Sequence, residues 1–93
     1  MRVSAEAVEF IKRWEGFSST SFWDHKQWSI GYGTRSHEGE EITEEEAERR
    51  FRDVLSGYAS GLSNRLTFTP TTSEATALLS AAYNLGVSGI SPI

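Results

Sequence analysis

The chain has no cysteine among its 93 residues, one methionine, two prolines and two histidines. Without thiols there is no disulfide framework and no thiolate metal site, so a domain this small rests on a core that buries roughly 60–65 % of its unfolded surface. His25 and His37 alone make no convincing zinc site. Nine basic residues stand against thirteen acidic ones, a net charge of −4, which argues against a nucleic-acid partner that would need a basic face. No apolar run approaches the roughly 18 residues of a membrane span. Met1-Arg2-Val3-Ser4 leads directly into an amphipathic pattern rather than a secretory h-region, so synthesis in a cytoplasm without a signal peptide is expected. Neither metal ligands nor a phosphate-binding loop is evident, and no cofactor is expected.

The pattern predicts an α+β domain. Ser4 suits a helix cap, with Ala7, Phe10, Ile11 and Trp14 on one face and Gly16 as the stop. Residues 20–23 and 28–32 read as two short strands around the turn Asp24-His25-Lys26-Gln27, followed by a polar loop over 35–41. Gly31 and Gly33 flank Tyr32, as in a strand that passes close to another backbone or to a ligand. Thr43 and Glu46 have capping-box spacing before Ala47, Phe51, Val54, Leu55, Tyr58 and Leu62, which predict a long linking helix over 43 to about 66. Gly57 and Gly61 within it suggest a bend or a close approach. Thr71 and Glu74 open a third helix through Ala75, Leu78, Leu79, Ala82 and Tyr83, closed by Leu85-Gly86. Three parts follow: residues 1–42 as an α/β lobe, 43–66 as the linking helix and 67–93 as the start of a helical lobe. Phe10, Trp14, Phe51 and Tyr58 read as core.

The acidic run from Glu38 to Glu48 reads as a solvated helix start favoured by the helix dipole. Arg49, Arg50 and Arg52 read as i,i+4 partners of its glutamates rather than as a basic patch.

Two carboxylates and a hydroxyl surround the aromatic stretch that follows the first helix. Glu15 ends that helix at the negative end of its dipole beside Trp14 and Phe17, and both effects disfavour ionisation. Asp24 opens a polar turn and should stay ionised, and Ser29 lies five positions further on. Carboxyls pushed apart in this way can divide acid and base roles, as in cleavage of a glycosidic bond. Singly, each has a plainer reading: a surface carboxylate, an Asx turn, a strand hydroxyl.

The order Trp14-Glu15-Gly16-Phe17, Phe22-Trp23-Asp24, Trp28-Ser29-Ile30-Gly31-Tyr32-Gly33-Thr34 and Ile42-Thr43-Glu44-Glu45-Glu46-Ala47-Glu48 resembles the phage-type lysozyme family, and Asn84-Leu85-Gly86 is similar to a later signature of it. The resemblance implies a lysozyme-like fold with an incomplete helical lobe. It also implies a muramidase or endolysin that hydrolyses, with inversion, the β-1,4 bond between N-acetylmuramic acid and N-acetylglucosamine in bacterial peptidoglycan. By residue match, Glu15 is the general acid, and Asp24 with Ser29 positions water. Trp23, Trp28, Tyr32 and Thr34 are the candidates for substrate binding. Relative to the family, Asp24 and Ser29 are one position closer than usual, Ser29 replaces a threonine, and a histidine is absent between Gly33 and Thr34.

A second reading stays open: a weak or inactive lysozyme-like module that binds glycan through its aromatics or serves in a phage particle. Arg35 and Lys26 could touch a glycan or its peptide carboxylates, although solvated surface is the simpler assignment. The resemblance also implies that relatives continue through further helices, which leaves the apolar face over 78–87 to self-association, a second subunit or the remainder of a longer protein. Action on the cell wall would follow release from the host cytoplasm.

Overall fold

The computed structural model of the chain describes residues 3–85. They form α1 (Ala5–Glu15), β1 (Ser18–Trp23), β2 (Trp28–Gly31), β3 (Thr34–Arg35), α2 (Glu44–Ser63) and α3 (Thr72–Leu85). The helix stop at Gly86, residue Val87 of the apolar face and the tail to Ile93 lie outside the described residues. The described residues form two compact units, one of residues 12–54 and one combining residues 3–11 with 55–85.

α1 begins where the Ser4 hydroxyl accepts the Ala7 amide at 3.1 Å, one of the four donors a helix start leaves unpaired. It ends at Gly16, whose φ of 69° is left-handed and whose amide donates to the Lys12 carbonyl at 3.2 Å. The buried stripe is Ala7, Val8 and Ile11. Phe10 and Trp14, expected in the core, are 43 % and 73 % exposed. The stripe is centred between Ala7 and Val8, about 100° apart on the helix, which turns the two large rings to its flank.

The sheet is antiparallel in the order β1-β2-β3. The two-residue β3 was not anticipated, and it pairs through Ser29 with Arg35 and Ile30 with Thr34. The loop expected over 35–41 is thus partly strand. Its far end borders β1 through a Thr20–Glu41 bridge and the bonds Ser21 N–H to Glu40 C=O and Ile42 N–H to Ser19 C=O, at 2.9 and 3.0 Å.

Gly31 meets the sequence expectation of a close approach. Its φ is 64°, and a Cβ there would lie 2.9 Å from the Cβ of Ala47 on α2. Gly57 does not meet it, since a Cβ there would find nothing within 4 Å. α2 runs unbroken through Gly57 and Gly61 to Ser63, and amide bonds to the Leu62 carbonyl carry the last turn to Leu66.

The capping box at Thr43 is half made. Its hydroxyl accepts the Glu46 amide at 3.2 Å, while the Glu46 carboxylate turns to Arg49 and Arg50. The box at α3 is complete, Thr71 N–H to the Glu74 carboxylate at 2.8 Å and Glu74 N–H to the Thr71 hydroxyl at 3.2 Å.

Ile30, Tyr32, Ala47 and Phe51 fill the core of the 12–54 unit. Ala7, Val8, Ile11, Leu55, Ala59, Leu62, Leu79 and Ala82 fill the other. Tyr58 is half-buried, its ring edge-on to Tyr83 at 6.3 Å. The expectation of an uncovered face on α3 is therefore corrected for its described part: Leu79 and Ala82 are fully buried, and Leu78 and Tyr83 are half-buried. The open side of α3 instead lines a groove of about 680 Å³ with Thr76, Ala77 and Ser80, opposite Glu6 and Phe10 of α1.

Candidate active site

Glu15, Asp24 and Ser29 all lie in the 12–54 unit. Glu15 is the last residue of α1 and half-buried. Loss of solvent pushes its carboxyl above the usual range. One turn earlier, the Lys12 ammonium is fixed by a 2.6 Å bond to Glu48 of α2 and lies 5.1 Å from the centre of the Tyr32 ring. This anchor on the helix end that carries Glu15 was not singled out from the sequence, where Lys12 reads as a surface residue.

Asp24 leaves β1 at a turn closed by the Trp23–Trp28 pair. Its amide donates to the Gln27 carbonyl, and its Oδ1 accepts the amides of Gln27 at 3.0 Å and Lys26 at 3.3 Å. This is an Asx turn, and its tightness places His25 at φ 73°, a left-handed conformation uncommon outside glycine. The other oxygen, Oδ2, accepts the Ser29 hydroxyl at 2.7 Å. That bond chiefly holds the Asp24 carboxyl below its usual range, against a smaller desolvation, with the Gln27 and Lys26 amides and the His25 charge adding to it.

Of the roughly four lone-pair positions of a carboxylate, three are thus occupied and one on Oδ2 is left. Ser29 is 1 % exposed and also faces the Gln27 amide nitrogen at 3.4 Å. The shorter spacing between Asp24 and Ser29 does not separate the two groups.

Register decides which neighbours share this face. Ser29 stands opposite Phe22 on β1 and Arg35 on β3, and directly paired residues project to the same side. A row Phe22–Ser29–Arg35 therefore crosses the sheet on the Asp24 side, with the ring and the arginine exposed at its ends. Trp23 and Trp28, one position along each strand, project to the opposite side, with ring centres 5.8 Å apart and edge to face. Trp23 is 57 % exposed and Trp28 half-buried.

Tyr32 is buried, its ring 5.5 Å from Phe17 and 5.4 Å from Phe51. Thr34 is buried as well, and its hydroxyl donates to the Ile30 carbonyl at 3.2 Å. Of the four substrate-binding candidates, the fold thus leaves Trp23 as the one with an exposed ring. Phe22, on the Asp24 side, was missed because only the pairing register reveals its side.

The pairing also draws the two ends of β1 together. Ser18 pairs with Gly31 and Phe22 with Ser29, so four steps on β1 span two on β2, a bulge that compresses the strand. Two steps of β2 cover about 6–7 Å. The strand end that follows Glu15 and the strand end that leads to Asp24 are therefore closer along the sheet than a regular six-residue strand would hold them.

The polar loop beside β1 is clamped to α2. Arg50 makes two bonds to Glu40, at 2.6 and 3.1 Å, and one to Glu46 at 3.0 Å, while the Ser36 hydroxyl donates to Glu40 at 2.6 Å. Arg49 joins Glu46 to Asp53, and Arg52 pairs with Glu48, so the arginines of α2 are engaged with acids as expected. Among the described residues no group of three or more histidines and carboxylates is placed to hold a metal ion. Nor is any helix long and apolar enough to cross a membrane.

Among the described residues, three helices with a small three-stranded antiparallel sheet define a lysozyme-like α+β domain. Comparison with known proteins agrees: the muramidase domain of SpmX from Asticaccaulis excentricus superposes with a TM-score of 0.85 at 29 % identity, over 94 % of this chain and 61 % of that one. The endolysin from Escherichia coli O157:H7 phage FAHEc1 gives 0.85 at 27 % identity, over 95 % and 60 %. The phage lysozyme family model matches residues 12–92, and the chain belongs to that family. In sequence, the endolysin of Bacillus phage B103 is 31 % identical over 97 % of this chain, which spans 36 % of the length of that relative.

Proposed function

We propose that the chain carries the catalytic residues of a peptidoglycan hydrolase that cleaves the β-1,4 bond between N-acetylmuramic acid and N-acetylglucosamine with inversion. The observation that supports this most is the opposite displacement of two carboxyls in one compact unit, Glu15 towards the protonated form and Asp24 towards the ionised form. Such divergence supports Glu15 as the acid and Asp24 as the base.

In the proposed reaction Glu15 gives its proton to the bridging oxygen as the bond to the anomeric carbon breaks. A water held by the remaining lone pair of Asp24 Oδ2 and by the Ser29 oxygen attacks that carbon from the other face. Its proton passes to Asp24, which leaves Glu15 ionised and Asp24 protonated until solvent exchange resets both. Ser29 donates its own proton to Asp24 and accepts from the Gln27 side-chain amide, so one lone pair of its oxygen remains to accept from the water. Trp23 supplies a stacking surface for a longer glycan at the edge of the hairpin.

The homologous endolysins and the muramidase domain support the same reading. Purified sacculi incubated with the wild-type chain should release reducing ends. Glycan binding with no such release would favour a binding module of the same fold.

A further inference from the structure

We infer that Arg35 is a specificity-determining residue that binds a carboxylate of the glycan substrate beside the Asp24–Ser29 pair. The inference rests on the proposed hydrolase reading and adds the chemical feature of the substrate that this side of the site selects. Arg35 lies on β3 directly opposite Ser29, and the two side chains share a sheet face. Directly opposed Cβ atoms are about 4.5–5.5 Å apart, so the guanidinium is within one side-chain length of the place where Ser29 meets Asp24.

One feature separates Arg35 from the arginines of α2. It is exposed and makes no ion pair among the described residues, whereas Arg49, Arg50 and Arg52 are each tied to glutamates of α2 or its preceding loop. The carboxylate nearest in register is already engaged: Asp24 accepts Ser29, Gln27 and Lys26. The planar donor fork is therefore left facing outward at the end of the Phe22–Ser29–Arg35 row, opposite an exposed ring.

A ring at one end and a guanidinium at the other fit a sugar that carries an acid. The ring offers a stacking surface to the sugar's apolar face, and the guanidinium offers paired hydrogen bonds to a carboxylate. In peptidoglycan that acid has two sources, the lactyl group of a stripped strand and the stem peptide of an intact one. A chitin-type strand has neither.

The test measures equilibrium binding in the Glu15→Gln background, which stops turnover. The probes are soluble strands with stem peptides, strands stripped to the free lactyl acid, each of these after amidation of its carboxylates, and chito-oligosaccharide. The Glu15→Gln chain should prefer at least one acidic strand over its amidated form by about 3–10-fold, less at high salt because the pair is partly exposed. Whichever strand shows the preference identifies the source. Arg35→Gln should abolish it without changing affinity for chito-oligosaccharide, and Arg35→Lys should retain part of it, since the charge stays and the fork is lost. A preference that survives Arg35→Gln, or none in the presence of Arg35, overturns the inference. Reducing-end release by the wild-type chain tests the hydrolase reading separately, and binding reports on Arg35 whichever way that result falls.

Discussion

Replacing Gly31 by alanine separates two costs that usually come together. At φ 64° an alanine adopts a left-handed conformation, which costs about 1–2 kcal/mol for a residue with a Cβ. The new Cβ would also lie 2.9 Å from Ala47 Cβ, 3.4 Å from Ile42 Cδ1 and 3.5 Å from the Ala47 Cα, where carbon atoms prefer about 3.5–4.0 Å. Ala47 has no rotamer with which to retreat, so strand or helix must shift, at about 1–3 kcal/mol for overpacking. Reduced freedom of the unfolded chain returns about 0.4–1 kcal/mol. The net loss is about 2–4 kcal/mol, a large share of the roughly 5–14 kcal/mol expected for a domain of this size.

Gly39 supplies the control. Its φ is 80°, but a Cβ there finds nothing within 4 Å, so Gly39→Ala carries the backbone cost alone, about 1 kcal/mol or less after the same offset. Urea unfolding followed by tryptophan fluorescence measures both variants, and melting should fall by about 10–30 °C for Gly31→Ala. Equal losses at the two positions would refute the claim that β2 and α2 are held at contact through Gly31.

Ser29→Ala removes the bond that chiefly lowers the Asp24 carboxyl, so its titration, followed by carboxyl carbon NMR, should move up towards the ordinary range, and Ser29→Thr should restore it. Glu40 and Glu46 are both lowered to about 2, first by hydrogen bonds from Arg50 and from Arg49 respectively. The stability they contribute is complete above their unfolded value of about 4.5 and is lost as pH falls towards 2, so Glu40→Gln should flatten the acid decline of the urea midpoint over that window. Glu15 has the opposite sign: its raised folded value favours the folded state at low pH, and that contribution is lost as pH rises through it. Thr71→Ala breaks the reciprocal cap of α3 and should cost about 1 kcal/mol by the same unfolding assay.

Local chemistry made much of this fold legible. Ser4, Gly16 and the Thr71–Glu74 box mark helix ends through bonds between near neighbours in the chain, and Gly31 signals a close approach through its lack of a side chain. Asp24 and Ser29 were readable as a pair because one turn joins them. Helix rotation was not readable: Phe10 and Trp14 are more apolar than Ala7 and Val8, yet the tertiary contact selected the smaller residues. The side of the sheet on which Phe22, Trp23, Trp28 and Arg35 project depends on pairing register, which the length of the Asp24–Gln27 turn and the β1 bulge set together. The two-residue β3 is too short to show alternation, and its pairing with β2 comes from tertiary context.

The central claim is a proton held by Glu15 and delivered across the site from Asp24, and the most direct measurement is reducing-end release from purified sacculi by the wild-type chain and by Glu15→Gln at equal folded concentration. The account predicts release by the wild type and its loss, by about 100-fold or more, in the variant whose amide has no acidic proton to give. Equal release by both chains would contradict it.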